Sequence, residues 1–136
     1  MLVKEIMTPK LEMISASLTL QEAPRRMRDL SIGSLPVAEN GKLVGFLTDR
    51  DICCRGMADG LAPNASVREL MSRDVAFCFS DDNVTQAAWQ MERRHIRRLA
   101  VPNRDKGVAG FLSVDDLAHY SWQLAGEVLD HARSAH

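Results

Sequence analysis

At 136 residues, with 46% hydrophobic and 26% charged side chains, the chain has the length and composition of an ordinary globular protein, and this excludes a disordered chain. Lysine plus arginine number 17 and aspartate plus glutamate 18, so the net charge of −1 argues against a sequence-independent nucleic-acid binder. No run approaches the ~20 apolar residues of a membrane span, and Glu5 and Pro9 interrupt the N-terminal segment where a signal peptide needs an apolar core.

In chain order, Val3–Met7 reads as a short amphipathic turn and Glu12–Ala16 as a short strand. A helix follows, opened by Thr19 with Glu22 three residues on, its apolar positions Leu20, Ala23, Met27 and Leu30 at helical spacing. Pro24 is expected to remove one hydrogen bond or bend this helix. Leu35–Ala38 and Leu43–Leu47 flank Asn40-Gly41, a strong hairpin signal, and a second helix starts at Thr48. Arg55–Ser66, with Gly56, Gly60, Pro63 and Asn64, reads as a linker. The order then recurs. Val67–Met71 is a turn and Val75–Phe79 a strand. A helix opens at Asn83, with Gln86 in the matching place, and carries Val84, Ala87, Ala88, Met91 and His95 on its apolar face. A hairpin joins Leu99–Pro102 to Val108–Leu112 around Asn103–Gly107, and a helix starts at Ser113. Asp115 to about Ser134 is expected as one longer helix, whose stripe of Leu117, Tyr120, Ser121, Leu124, Val128 and Leu129 could cap the fold or meet a partner.

The recurrence is a duplication. Val3-Lys4-Glu5-Ile6-Met7-Thr8 aligns with Val67-Arg68-Glu69-Leu70-Met71-Ser72 at an offset of 64, which also carries Ala23, Met27, Ile32, Leu35 and Val37 onto identical residues. One extra residue near Asp105 shifts the offset to 65, and Gly45-Phe46-Leu47-Thr48 then falls on Gly110-Phe111-Leu112-Ser113, with Asp51 on Asp116. Residues 3–51 and 67–116 share twelve identities, against about three expected from average composition. The chain therefore divides into repeat 1 (1–58), a linker (59–66), repeat 2 (67–118) and a C-terminal helical extension (119–136). Each repeat runs β-α-β-β-α.

The motif Gly-Phe-Leu-[Thr/Ser]-x-x-Asp carries the most chemistry. One reading is a helix capping box, in which Thr48 or Ser113 accepts from backbone amides while Asp51 or Asp116 reaches back. The other is a nucleotide cradle, with helix-terminal amides and a hydroxyl facing phosphate oxygens and a carboxylate facing a ribose diol. The two readings are compatible.

The paired starts Glu5-Ile6-Met7-Thr8 and Glu69-Leu70-Met71-Ser72, the segments Ile32–Val37 and Ile96–Val101, and the two Gly-Phe-Leu motifs together resemble a pair of CBS domains, the Bateman module. The resemblance spans Val3 to about Leu117. It is closest to stand-alone bacterial CBS-pair proteins such as the hypoxic response protein group. It implies an α/β fold with pseudo-twofold internal symmetry, and a regulatory module rather than an enzyme. Two clefts between the repeats would take AMP, ADP or ATP, with Mg²⁺ on the phosphates, or S-adenosylmethionine. By the same resemblance Asp51 and Thr48 serve one cleft and Asp116 and Ser113 the other, with Asp on the ribose and the hydroxyl toward phosphate. Arg97 and Arg98 fall where relatives place a phosphate-binding cation, Arg98 being the expected phosphate contact, and Thr8 and Ser72 where some contribute another hydroxyl.

Charge separates the two clefts. Arg97 and Arg98 stand where the first repeat has Gly33 and Ser34, so the cleft of Ser113 and Asp116 is expected to bind phosphate more tightly. The faces holding Met27, Leu30, Met91 and Trp89, together with the habit of such pairs to associate, predict a homodimer. The alternatives are a ligand-free dimerisation or interaction module, or a metal or redox sensor using Cys53, Cys54, Cys78 or His95. No CxxC and no histidine ligand spacing is present, so reduced thiols in a cytoplasmic protein without a metal centre are the expected state.

Overall fold

The computed structural model describes residues 1–9, 12–102 and 108–132, and side chains up to residue 130. The second hairpin turn, Asn103–Gly107, lies outside the described residues, as do residues 133–136 and the His131 side chain. The chain forms two compact units. One is continuous, Glu12–Val75; the other is split, joining Met1–Leu11 to Ala76–His136.

In the continuous unit, β2 (Ile14–Ser15) pairs in parallel with β3 (Ser34–Glu39), which pairs antiparallel with β4 (Lys42–Thr48). Asn40 and Gly41 both adopt left-handed backbone (φ 54° and 77°), the pair of positive angles that a tight two-residue hairpin turn requires. Helix α2 (Glu22–Leu30) packs Ala23 and Met27 against Leu35, Val37 and Leu47 of the sheet. Helix α3 (Asp49–Asp51) runs straight on into a π-helical segment, Ile52–Met57. A 3₁₀ turn, Val67–Glu69, then leads Ser72 back onto Phe46, the two residues exchanging both backbone hydrogen bonds at 2.8 and 2.9 Å.

The split unit repeats this plan with its first segment taken from the other end of the chain. Helix α1 (Val3–Ile6) leads into β1 (Thr8–Pro9), which pairs antiparallel with β6 (Val108–Ser113); β6 in turn pairs with β5 (Arg98–Pro102). Phe77 bridges to Ala100 in parallel, taking the place that β2 holds in the other sheet. Thr8 sits opposite Phe111 as Ser72 sits opposite Phe46, so the duplication seen in sequence is kept strand by strand. Helix α4 (Val84–Arg94) covers the sheet, and α5 (Val114–Tyr120) and α6 (Trp122–Ala132) pack against it.

Four expectations change. The helix from Asp115 to Ser134 is broken: Ser121 takes extended backbone and ends α5, and its Oγ accepts from the Leu124 N–H at 3.3 Å to start α6. Pro24 does not interrupt α2, because the helix begins at Glu22 and Pro24 falls in its first turn, where a missing N–H is tolerated. Thr19 still braces that start, accepting from the Glu22 N–H and donating to its carboxylate. His95 is not on an apolar helix face; it is the exposed left-handed cap of α4 (φ 55°), as Ser31 is of α2. Finally, Met27 and Met91 are buried within their own units, leaving only Leu30 and Trp89 of that set at the surface.

Candidate functional site

In the split unit the repeated motif ends β6 and starts α5. Ser113 has extended backbone, so its side chain can fold over the helix start: Ser113 Oγ accepts from the Asp116 N–H at 3.1 Å, and the Ser113 N–H donates to Asp116 Oδ2 at 2.9 Å. The capping box predicted from sequence is present. It leaves Asp116 Oδ1 turned outward, and there Thr8 Oγ1 donates to it at 2.9 Å. Thr8 arrives from β1, 108 residues away, because β1 lies beside β6. Arg98 pairs with Ser113 across β5 and β6, and the Arg97 carbonyl accepts from the Val114 N–H at 2.9 Å. Thr8, Arg97, Arg98, Ser113 and Asp116 thus meet at one end of one sheet, all partly buried. Arg97 Nε is buried and has no hydrogen-bond partner among the described residues. A buried N–H donor without an acceptor is costly, and an oxyanion is the acceptor a guanidinium matches best.

The continuous unit builds the same box with different neighbours. Thr48 Oγ1 accepts from the Asp51 N–H, and Asp51 Oδ2 accepts from the Thr48 N–H, both at 3.0 Å. Asp51 Oδ1 here faces the Arg55 guanidinium at 3.9 Å, an i,i+4 pair along the helix. Ser72 stands in the strand beside β4 as Thr8 does beside β6, and its side chain is exposed. At the place of Arg97 the backbone of Gly33 lies so close to Asp49 that an added Cβ would sit 3.1 Å from Asp49 Oδ2. The two sites therefore differ in charge: Arg97 in one is replaced by Gly33 beside Asp49 in the other. Arg50, on the first turn of α3, is exposed.

The sequence reading placed each hydroxyl and carboxylate but not the exchange between repeats. Thr8 opens the first repeat and joins the motif of the second, while Ser72 opens the second and joins the strand of the first. Because the two opening segments are nearly interchangeable in sequence, no local preference tells which sheet each one joins.

The cysteines divide sharply. Cys53 and Cys54 are exposed and Cys78 is buried. Burial, and then the Asp82 carboxylate, push the Cys78 thiol up to about 12 from its ordinary 9.0. The folded state holds that proton more tightly than the unfolded chain does. Its contribution to stability is complete below pH 9 and is lost as pH climbs from 9 toward 12, by at most about 1.4 kcal/mol per pH unit for one proton. Denaturation midpoints measured from pH 8 to 11 should fall in the native protein and fall less in Cys78→Ala. At neutral pH an alkylating reagent should modify Cys53 and Cys54 in the folded protein and reach Cys78 only on unfolding. Among the described residues, no three His, Cys, Asp or Glu side chains come together to hold a metal ion, and no helix is long and apolar enough to cross a membrane.

Comparison with known proteins agrees with the duplicated fold. The CBS domain-containing protein YhcV of Bacillus subtilis is 34% identical over 129 residues, 93% of this chain and 91% of that one. The structure of Hypoxic Response Protein I with two coordinated zinc ions is similar at a TM-score of 0.77 and 29% identity, covering 89% of this chain and 99% of that one. The CBS domain pair of protein MJ0100, solved with 5′-methylthioadenosine and S-adenosyl-L-methionine, is similar at 0.75 and 27% identity, covering 88% and 94%. The CBS domain model itself matches residues 3–55 and 67–123, one copy for each half of the duplication, and the chain belongs to the CBS domain family.

Proposed function

We propose that this CBS pair is a regulatory module that senses an adenosine-containing ligand, bound where Thr8, Ser113, Asp116, Arg97 and Arg98 converge. The observation that carries the reading is the buried Arg97 Nε with no partner among the described residues, on a residue whose carbonyl holds the start of α5, the helix whose Asp116 carboxylate has each oxygen held by one hydrogen bond. Each carboxylate oxygen keeps a second lone-pair direction, so Asp116 can accept the two hydroxyls of a ribose in parallel. Arg97 supplies a donor to a phosphate, or to the carboxylate of S-adenosylmethionine. The adenosyl ligands of the MJ0100 pair support this choice of class. With ADP or ATP, Mg²⁺ travels on the phosphates, as this small hard cation does. Thr48, Asp51 and Ser72 form a second, weaker site. The exposed pair Cys53 and Cys54 fits a reducing compartment, the cytoplasm.

The test is a thermal-shift panel of AMP, ADP, ATP, GTP, NADH, S-adenosylmethionine and Mg²⁺, followed by calorimetry. A ligand at 100 times its Kd stabilises the folded state by about 2.7 kcal/mol, a rise in Tm of several degrees. Adenosine-containing compounds should give that rise and GTP should not. A flat response across the panel would refute the reading and leave a ligand-free interaction module.

A further inference from the structure

The duplication separates the charges the fold needs from those it does not. By the offset of 64, Gln86, Gln90, Arg93 and Arg94 of α4 occupy the places of Glu22, Arg26, Asp29 and Leu30 of α2. Both helices end on a left-handed residue, His95 and Ser31 (φ 55° in each), so α2 finishes in the same way without arginines at these places. On α2 the charges are answered within the unit: Arg26 pairs with Glu12 at 2.8 Å, Glu22 accepts from Thr19, and Asp29 lies 3.7 Å from Arg28. On α4 both acidic positions are gone, with Gln86 for Glu22 and Arg93 for Asp29. Among the described residues neither Arg93 nor Arg94 forms an ion pair, and both are exposed. With Gln86 and Gln90 they line an open depression of about 530 Å³. Gln90 is fixed in place there, because its Nε2 donates to the Phe77 carbonyl at 2.9 Å.

We propose that this side of α4 is the surface on which the module docks an acidic peptide segment of a protein partner. The charge identifies the occupant: two guanidiniums without a carboxylate of their own match Asp and Glu side chains, each fork taking a carboxylate through parallel hydrogen bonds. The carboxamides of Gln86 and Gln90 suit a peptide as well, since each carries the donor and the acceptor that a backbone amide complements. A nucleic acid fits less well. Its affinity grows with the number of phosphates neutralised, and two cations on a chain of net charge −1 are too few to hold one at physiological salt. A free small anion, facing exposed groups alone, would be held only weakly. Docking here needs no nucleotide, so this surface and the ligand reading fail separately.

The test pans a random peptide library against the full chain without nucleotide, then measures the enriched peptides, synthesised with a fluorescent label, by anisotropy. Enriched sequences should be rich in Asp and Glu. Arg93→Asp/Arg94→Leu installs the residues that α2 carries at these places, and should weaken peptide binding by about tenfold or more. Arg25→Asp/Arg28→Leu makes the same change of charge at exposed positions of α2 and should leave affinity unchanged. Added NaCl should weaken binding to the native protein, and a thymidine oligonucleotide should not displace the peptide at physiological salt. Circular dichroism establishes that each variant folds. A library that enriches no acidic sequence, peptides that bind Arg93→Asp/Arg94→Leu as well as the wild type, equal loss in the α2 variant, affinity indifferent to salt, or displacement by the oligonucleotide would each overturn the proposal.

Discussion

Replacing Arg97 by glycine should lower affinity for the tighter-bound nucleotide by about 10- to 150-fold, the equivalent of losing one charge-assisted hydrogen bond of about 1.5–3 kcal/mol. Among the described residues nothing accepts from Arg97 Nε, so the variant removes the proposed ligand contact without stranding an acceptor of that N–H. Asp116→Ala should also abolish tight binding, but it takes the α5 cap with it and lowers stability by about 1 kcal/mol. The two variants together separate recognition from folding. The reciprocal change is more demanding. Gly33→Arg alone should gain little, because Asp49 lies against the introduced side chain and would neutralise it; Gly33→Arg/Asp49→Val reproduces the Arg97 and Val114 pair and should strengthen the weaker site. Titration calorimetry reads all of these. Retention of tight binding by Arg97→Gly would show that the phosphate is held elsewhere.

Gly110→Ala should destabilise the protein by about 3 kcal/mol, at the upper end of what overpacking produces. A Cβ at Gly110 would be driven into the Thr8 carbonyl oxygen and would lie 3.3 Å from Pro9 Cα, so β1 must leave β6. Backbone on both sides leaves no side chain that could yield. With β1 displaced, Thr8 no longer reaches Asp116, and nucleotide affinity should fall along with stability. Gly45 is held in the same way by the Ser72 carbonyl and Met71, and explains the glycine of the other motif. Gly126→Ala is the control: no atom lies within 4 Å of its Cβ position, and in the middle of α6 alanine should stabilise by about 1 kcal/mol. Urea denaturation of the three proteins measures the order, and a Gly110→Ala protein as stable as the wild type would contradict it.

Local chemistry was legible in the sequence wherever it depends on near neighbours. The Asn40-Gly41 turn, the Asn83 cap and the two capping boxes depend on neighbours within three residues, and all formed as read. Ser121 also had a visible signal, a helix-capping residue between two apolar stretches, but a continuous stripe from Leu117 to Leu129 masked it. The surface methionines did not survive the comparison, because a helical stripe looks the same whether a partner or the sheet of its own unit covers it. The motif glycines were read only as part of the strand that runs into the hydroxyl residue, while their physical role, close passage of a second strand, depends on a segment distant in the chain. The convergence of Thr8 with Asp116 was out of reach for the same reason. Arg97 and Arg98 were singled out together by charge, with Arg98 the favoured phosphate contact, whereas the buried, unmatched Nε belongs to Arg97.

The exchange of opening segments sets an order of events on the ribosome. Residues 12–75 hold every strand and helix of the continuous unit, so that unit can close as soon as its last turn emerges. The first nine residues are synthesised before any of it, yet their partner strand, β6, is among the last parts made. Until then α1 and β1 wait beside a growing chain whose own repeat offers them an almost identical berth. What keeps that berth from being taken for good is that Val67–Ser72, the last part of the continuous unit to emerge, has only a short linker to close and fills it first.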